Sequence, residues 1–275
     1  MSGIVIPGST RPWHGGPGSE RAFCVLAPNP SPMTLDGTNT WLLSETGASR
    51  CIVVDPGPDD DAHLDAIVMA AEDRGMQIAL TLLTHGHPDH AAGARSFAER
   101  TNTNVRALDP MHQYGDEGLV GGDVVAVDGL EVHVVETPGH TADCVSFQLP
   151  ADGSLLTGDT VLGRGTSVIA WPDGRLGAYL LSLVRLRDLA ERSESTLLLP
   201  GHGPTLDDPA RVLAEYLTHR GQRLDQVRDA IRAGITSAPA IVDALYDIPD
   251  GLKGAAELSV RAQLQYLTEL GELTL

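Results

Sequence analysis

The chain has 275 residues and carries 19 basic against 37 acidic side chains, a formal charge of −18. That length supports one large domain with a small companion, and the charge argues against a surface built to hold a polyanion. No apolar stretch reaches membrane-spanning length, and Met1 to Glu20 lacks a basic patch followed by an apolar core, so a soluble cytoplasmic protein without a secretory signal is expected.

In chain order, Ala22 to Leu26, Asn39 to Leu43 and Cys51 to Val54 read as successive strands. Asp61 to Arg74 has apolar residues at Leu64, Ile67, Val68 and Ala71, the spacing of a helix lying on a sheet. Leu80 to Leu83 is a further strand ending at Thr84, and a helix begins in Ala92 to Glu99. Val105 to Leu108, Val124 to Val127 and Leu130 to Val135 supply more strands, with Asp128-Gly129 as a tight hairpin turn. Tyr179 to Leu189 is a helix before the last strand of the body. Past His202 the texture turns helical, over Pro209 to Ala233, Pro239 to Tyr246 and Ala255 to Leu270, with a strand expected after Gly271. Cys24, Cys51 and Cys144 fall in separate apolar runs and read as small buried hydrophobes, with no disulfide framework.

The run Thr84-His85-Gly86-His87-Pro88-Asp89-His90 follows an apolar strand, where open α/β structures keep their sites. Side chains two apart on an extended segment point the same way, so His85 and His87 reach one ion while Asp89 and His90 turn to a neighbouring position. The same grammar of apolar strand, turn and ligand-type residue recurs at three places. His140 follows Glu136-Thr137-Pro138-Gly139, Asp159 closes Leu155-Leu156-Thr157-Gly158, and His202 follows Leu197-Leu198-Leu199-Pro200-Gly201. Five histidines and two aspartates fit a pair of ions with a shared carboxylate. His14, His63, His112, His133 and His219 lack clustered partners and read as ordinary residues.

These motifs, HxHxDH, PGHT, TGD and PGHG in that order, resemble the metallo-beta-lactamase superfamily. The Gly37-Thr38-Asn39-Thr40 start, the Leu162-Gly163-Arg164-Gly165-Thr166 segment and the long tail are most similar to the beta-lactamase-like protein 2 group, whose animal member is described as a single-stranded RNA endoribonuclease. The resemblance implies an α/β fold, the metallo-beta-lactamase αββα sandwich, over residues 1–207 and a small winged-helix-like helical domain over 208–275. It assigns His85, His87 and His140 to a first metal and Asp89, His90 and His202 to a second, with Asp159 bridging. A hydroxide held between two divalent ions would attack a carbonyl or phosphorus, with Asp89 orienting it. Zinc is the default for imidazole-rich, thiolate-free ligation, although iron or manganese would accept the set.

Arg164, between two glycines and five residues past Asp159, is placed to meet an anionic substrate or to face solvent. Thr141 reads as a donor beside His140 or as a cap for the next segment. Asn39 and Thr40 read as tying down the turn before Trp41. The expected activity is hydrolysis of a small ester, thioester or related substrate, with RNA cleavage as the alternative. The alternative is disfavoured by the charge and by a tail in which Arg220, Arg223, Arg228 and Arg232 are interleaved with Glu215, Asp225 and Asp229. The tail then serves as a cap, as a homodimer contact or in substrate recognition.

Overall fold

The computed structural model describes residues 11–273 of the chain. Its first half builds one six-stranded sheet, β1 (Gly16–Pro17), β2 (Ala22–Leu26), β3 (Asn39–Leu43), β4 (Arg50–Val54), β5 (Gln77–Leu82) and β6 (Val105–Arg106). The second half builds another from β7 (Val124–Val127), β8 (Leu130–Glu136), β9 (Val145–Leu149), β10 (Ser154–Gly158), β11 (Leu197–Pro200) and β12 (Leu206–Asp207). In both sheets each strand pairs with its neighbours in sequence. Most joins are antiparallel, but β4, β5 and β6 run parallel, as do β10 and β11. A parallel join needs a crossover. It is supplied by α1 (Asp61–Glu72) before β5, by α2 (Pro88–Ala91) and α3 (Ala94–Thr101) before β6, and by α4 (Leu176–Arg192) before β11.

Strand alternation sorts the core into layers. Trp41, Leu43, Ile52 and Val54 point inward to meet Val132, Val134, Phe147 and Leu156 of the second sheet. Their neighbours Leu42, Cys51 and Val53 point outward onto Leu64 and Ile67 of α1 and Phe97 of α3. On the far side, Leu155 and Leu198 pack against Tyr179, Leu183 and Leu186 of α4. The result is the expected αββα sandwich, in which each large side chain removed from water contributes about 1.5–3 kcal/mol. All three cysteines are buried and free, as their apolar settings suggest.

The strand-end loops differ from expectation mainly in their bounds. The strand predicted over Leu80 to Leu83 is the second half of β5, and the helix predicted over Ala92 to Glu99 is α3, which starts at Ala94, with the short α2 a separate turn before it. Asp128 and Gly129 both adopt positive φ, 47° and 93°, as a two-residue hairpin between β7 and β8 requires.

The tail forms α5 (Pro209–Arg232), α6 (Ala238–Leu245) and α7 (Asp250–Glu269). Asp208, in the left-handed region, starts α5 by accepting a hydrogen bond from the Arg211 amide. Val212, Tyr216, Val227, Ile241, Val260 and Leu267 join the same apolar cluster as α4, so the tail packs on the outer helical layer of the sandwich. Three helices are present as predicted, but among the described residues no strand follows Asp207 and there is no wing. The strand expected after Gly271 runs onto residues 274 and 275, outside the described residues.

Candidate metal centre

The loops after β5, β8, β10 and β11 bring all seven predicted residues together, in two groups. His85 Nε2 lies 3.1 Å from His87 Nδ1, which lies 3.0 Å from His140 Nε2. In the second group His90 Nε2 is 3.2 Å from His202 Nε2, and Asp89 Oδ2 is 3.2 Å from the same His202 atom. Asp159 spans the two, its Oδ2 3.6 Å from His140 Nε2 and its Oδ1 3.4 Å from both His90 and His202. A tetrahedral ion with bonds of about 2.0–2.1 Å holds its ligand atoms roughly 3.3 Å apart, so these separations suit coordination.

The hydrogen-bond network around the rings fixes which nitrogen is free. His140 Nδ1 donates to the Val168 carbonyl at 2.8 Å and His202 Nδ1 to the Gly37 carbonyl at 3.1 Å. His90 Nδ1 lies 2.9 Å from Asp55 Oδ2. His85 Nδ1 meets Thr84 Oγ1 at 3.0 Å, and that hydroxyl gives its own proton to Asp55 Oδ2 at 2.7 Å. Each of these four imidazoles therefore spends Nδ1–H on an acceptor and turns Nε2 to the cluster, the orientation ligating histidines adopt. Asp159 Oδ1 is buried without a hydrogen-bond partner, which also suits a cation as its missing partner.

The two groups differ electrostatically. Burial, reinforced by the neighbouring imidazoles, holds His85 well below the ordinary histidine range, and His140 is lowered in the same way. Around His90 burial acts in the same sense but Asp159 and Asp55 overcome it, so its pKa lies well above the ordinary value. His202 is raised to about 9, Asp159 again overcoming burial. For Asp159 burial favours the neutral acid, yet His202 and His90 hold the carboxylate well below its usual range.

Sequence reasoning missed Asp55. It sits at the end of β4 with φ 53°, 1% exposed, and besides orienting His90 it accepts from the Thr84 amide at 2.7 Å. Its signal was the recurring grammar, an apolar strand emptying into Asp55-Pro56-Gly57. Asn39 also acts at longer range than expected. Its Nδ2 donates to the carbonyls of Pro200 and Gly203 at 2.9 and 2.8 Å, clamping the loop that carries His202 instead of its own turn. Gly201 in that loop leaves no room for a side chain, since a Cβ would lie 2.7 Å from Asp159 Oδ1 and 2.8 Å from His90.

Other residues have local roles. Thr141 Oγ1 donates to Asp143 Oδ1 at 2.6 Å. Arg164 forms an ion pair with Asp36 at 2.5 Å. Thr40 donates to the Asp55 carbonyl and contacts buried His63 at 3.0 Å. His112 departs from the sequence reading, which gave it no clustered partner: it lies with Asp109 and Asp143 in a group whose ligand-type atoms are within 4.8 Å of one another. Sequence spacing could not show this, because Asp143 comes from the loop after β8.

A fold of two stacked sheets with this His/Asp cluster at the strand ends defines a class, that of metal-dependent hydrolases. The metallo-beta-lactamase superfamily model matches residues 33–202, and the chain belongs to that superfamily. It is 32% identical over 262 residues to the "Beta-lactamase-like protein 2 homolog" of Caenorhabditis elegans, covering 92% of this chain and 86% of that one. It is also 32% identical over 218 residues to the "Atrochrysone carboxyl ACP thioesterase" of Aspergillus fumigatus, covering 78% of this chain and 66% of that one. Among solved structures, a beta-lactamase domain protein from Burkholderia ambifaria superposes with a TM-score of 0.79 at 23% identity, over 96% of this chain and 91% of that one.

Proposed function

We propose that the chain is a dinuclear metal-dependent hydrolase of a small ester or thioester. His85, His87 and His140 hold one divalent ion, Asp89, His90 and His202 the other, and Asp159 joins them. The observation that carries this reading is Asp159, whose two carboxylate oxygens face different histidine groups. The donor set, all imidazole and carboxylate, suits zinc. When bound, such a pair supplies a water acidified towards neutrality and a Lewis acid for an oxygen gaining charge.

The chain's own residues supply orientation. Asp55, Val168 and Gly37 fix the rings through Nδ1, and Asp89, partly exposed beside His202, is placed to orient the attacking water. The thioesterase relative supports an acyl substrate, and the likeness to the beta-lactamase-like protein 2 homolog over most of both chains supports membership of that group. RNA cleavage is the weaker reading. On α5, Arg211 is paired with Asp208 and Glu215, Arg228 with Asp225 and Glu272, and Arg232 with Asp229, so only Arg220 and Arg223 of its five arginines are left without a carboxylate partner among the described residues to meet phosphates. No helix among the described residues is long and apolar enough to cross a membrane, and we place the enzyme in the cytoplasm.

The test is metal content by elemental analysis on protein purified without added metal, together with turnover of a thioester, an ester, a short single-stranded RNA and a lactam. Near two zinc ions per chain with thioester or ester turnover is the expected result. Turnover of RNA alone would replace the acyl reading, and less than one ion per chain without turnover would overturn the ligand assignment.

A further inference from the structure

A cavity of about 250 Å³ lies between the helical tail and the segment Thr166 to Ile169. Its apolar lining includes Ile169, Ile248, Leu252 and Ala256, while α5 and α7 contribute a polar wall of His219, Arg220, Arg223 and Gln263. Three of these side chains carry a buried polar atom without a hydrogen-bond partner: His219 Nδ1, Arg220 Nε and Gln263 Oε1. His219 is 8% exposed and Gln263 7%. Orphaned polar atoms are uncommon in native interiors and cost stability unless something completes them. Three on one cavity wall point to a ligand, and Arg220 Nε–H among them is a donor that an anion completes.

The wall is also positively charged in an otherwise acidic chain. Arg220 donates to the Ser167 carbonyl at 2.6 Å and lies over the Tyr179 ring. Arg223 bonds Gln226 and lies over the Tyr246 ring. Neither has a carboxylate partner among the described residues. Burial, with Arg220 and Arg223 adding to it, lowers His219 to about 4, so at neutral pH it presents an uncharged imidazole. At ~30 Å³ per water-sized group the cavity has room for roughly eight such groups.

The Thr166 to Ile169 segment is shared with the metal centre. On its other side, Val168 accepts from His140 and the Ser167 hydroxyl bonds the Asp159 carbonyl. None of the seven candidate ligands lines the cavity.

We propose that this cavity is a second ligand site, for a small amphipathic carboxylate, with the apolar body against Ile169, Leu252 and Ala256 and the carboxylate between Arg220 and Arg223. The site stands whether or not the metal centre hydrolyses an acyl substrate. Hexanoate, with eight non-hydrogen atoms, is the probe, titrated calorimetrically into the metal-loaded full chain. Saturable binding is expected, weakened at least tenfold by Arg223→Gln and lost in Ala256→Trp, which fills the cavity, with metal content unchanged in both. Absence of saturable binding to the unaltered chain would overturn the site. Unweakened binding in Ala256→Trp would do the same and would place hexanoate elsewhere, the metal centre included. Full affinity in Arg223→Gln would overturn the carboxylate assignment. Should Ala256→Trp fail to fold, a diazirine-bearing hexanoate analogue on the unaltered chain decides: labelling within residues 246–263 supports the site, and labelling confined to residues 85–90 overturns it.

Discussion

The two halves of the candidate metal centre are built from the same kind of loop but are prepared for an ion in opposite ways. His85, His87 and His140 form a group of imidazoles in which burial keeps His85 and His140 uncharged at neutral pH. His90 and His202 sit among Asp55, Asp89 and Asp159, which favour the protonated rings. An ion entering the first half displaces no proton from His85 or His140. In the second half it must compete with protons that the carboxylates hold in place. Neighbouring charge, more than ring identity, therefore sets how each half responds to pH.

The comparison breaks most completely at the one residue common to both halves. Asp159→Ala removes the bridge and leaves His90 and His202 without their main counter-charge. Turnover is expected to fall by roughly 10³-fold or more, with metal content dropping below that of the unaltered chain. Retention of both ions by this variant would show that the halves are independent sites.

A smaller effect separates the halves by pH. With His202 raised to about 9, affinity in the second half weakens as pH falls, by about tenfold per pH unit for each proton displaced. On dialysis from pH 8 to pH 5 the second ion should leave first while the first is retained. His202→Ala should bind one ion and lose this early step. Simultaneous loss of both ions in the unaltered chain would contradict the division.

Asp55 sharpens the comparison without touching an ion. Asp55→Asn weakens the acceptor for His90 Nδ1 and should lower metal affinity by about 10–100-fold, in line with outer partners of ligating histidines. Thr84 links the same carboxylate to His85, so a lesser loss is expected in the first half. Isothermal titration of the metal-free protein with zinc resolves the two steps.

Much of this arrangement was legible because metal ligands cluster in short motifs at strand ends. HxHxDH places four of the seven residues within six positions, and the αββα layering follows from apolar alternation in strands such as β3, where Trp41 and Leu43 face one core and Leu42 the other. What escaped was the support, which is non-local. Asn39 grips carbonyls 161 and 164 residues away, and Asp55 reaches His90 only because β4 and β5 pair in parallel after a helical crossover. The cavity wall was hidden for a similar reason, since helical periodicity locates α5 and α7 but not the faces they turn to the Thr166 to Ile169 segment.

The smallest expected effect concerns stability beneath the centre. Buried His63, bonded to Thr40 below the Asp55 turn, is lowered to about 4, chiefly by burial, against an ordinary value of 6.5. The unfolded chain binds a proton at this position below pH 6.5, whereas the folded chain resists it down to about pH 4. Stability from keeping the ring neutral is thus complete above 6.5 and falls away as pH drops from 6.5 to 4, by up to about 3 kcal/mol. His85, His140 and His219 act in the same direction, so the unaltered chain alone cannot apportion the loss. His63→Gln retains hydrogen-bonding capacity towards Thr40 but cannot titrate. Its denaturant midpoint should decline less steeply between pH 6.5 and 4.5 than that of the unaltered chain, and equal slopes would assign the acid sensitivity to His85, His140, His219 or the carboxylates.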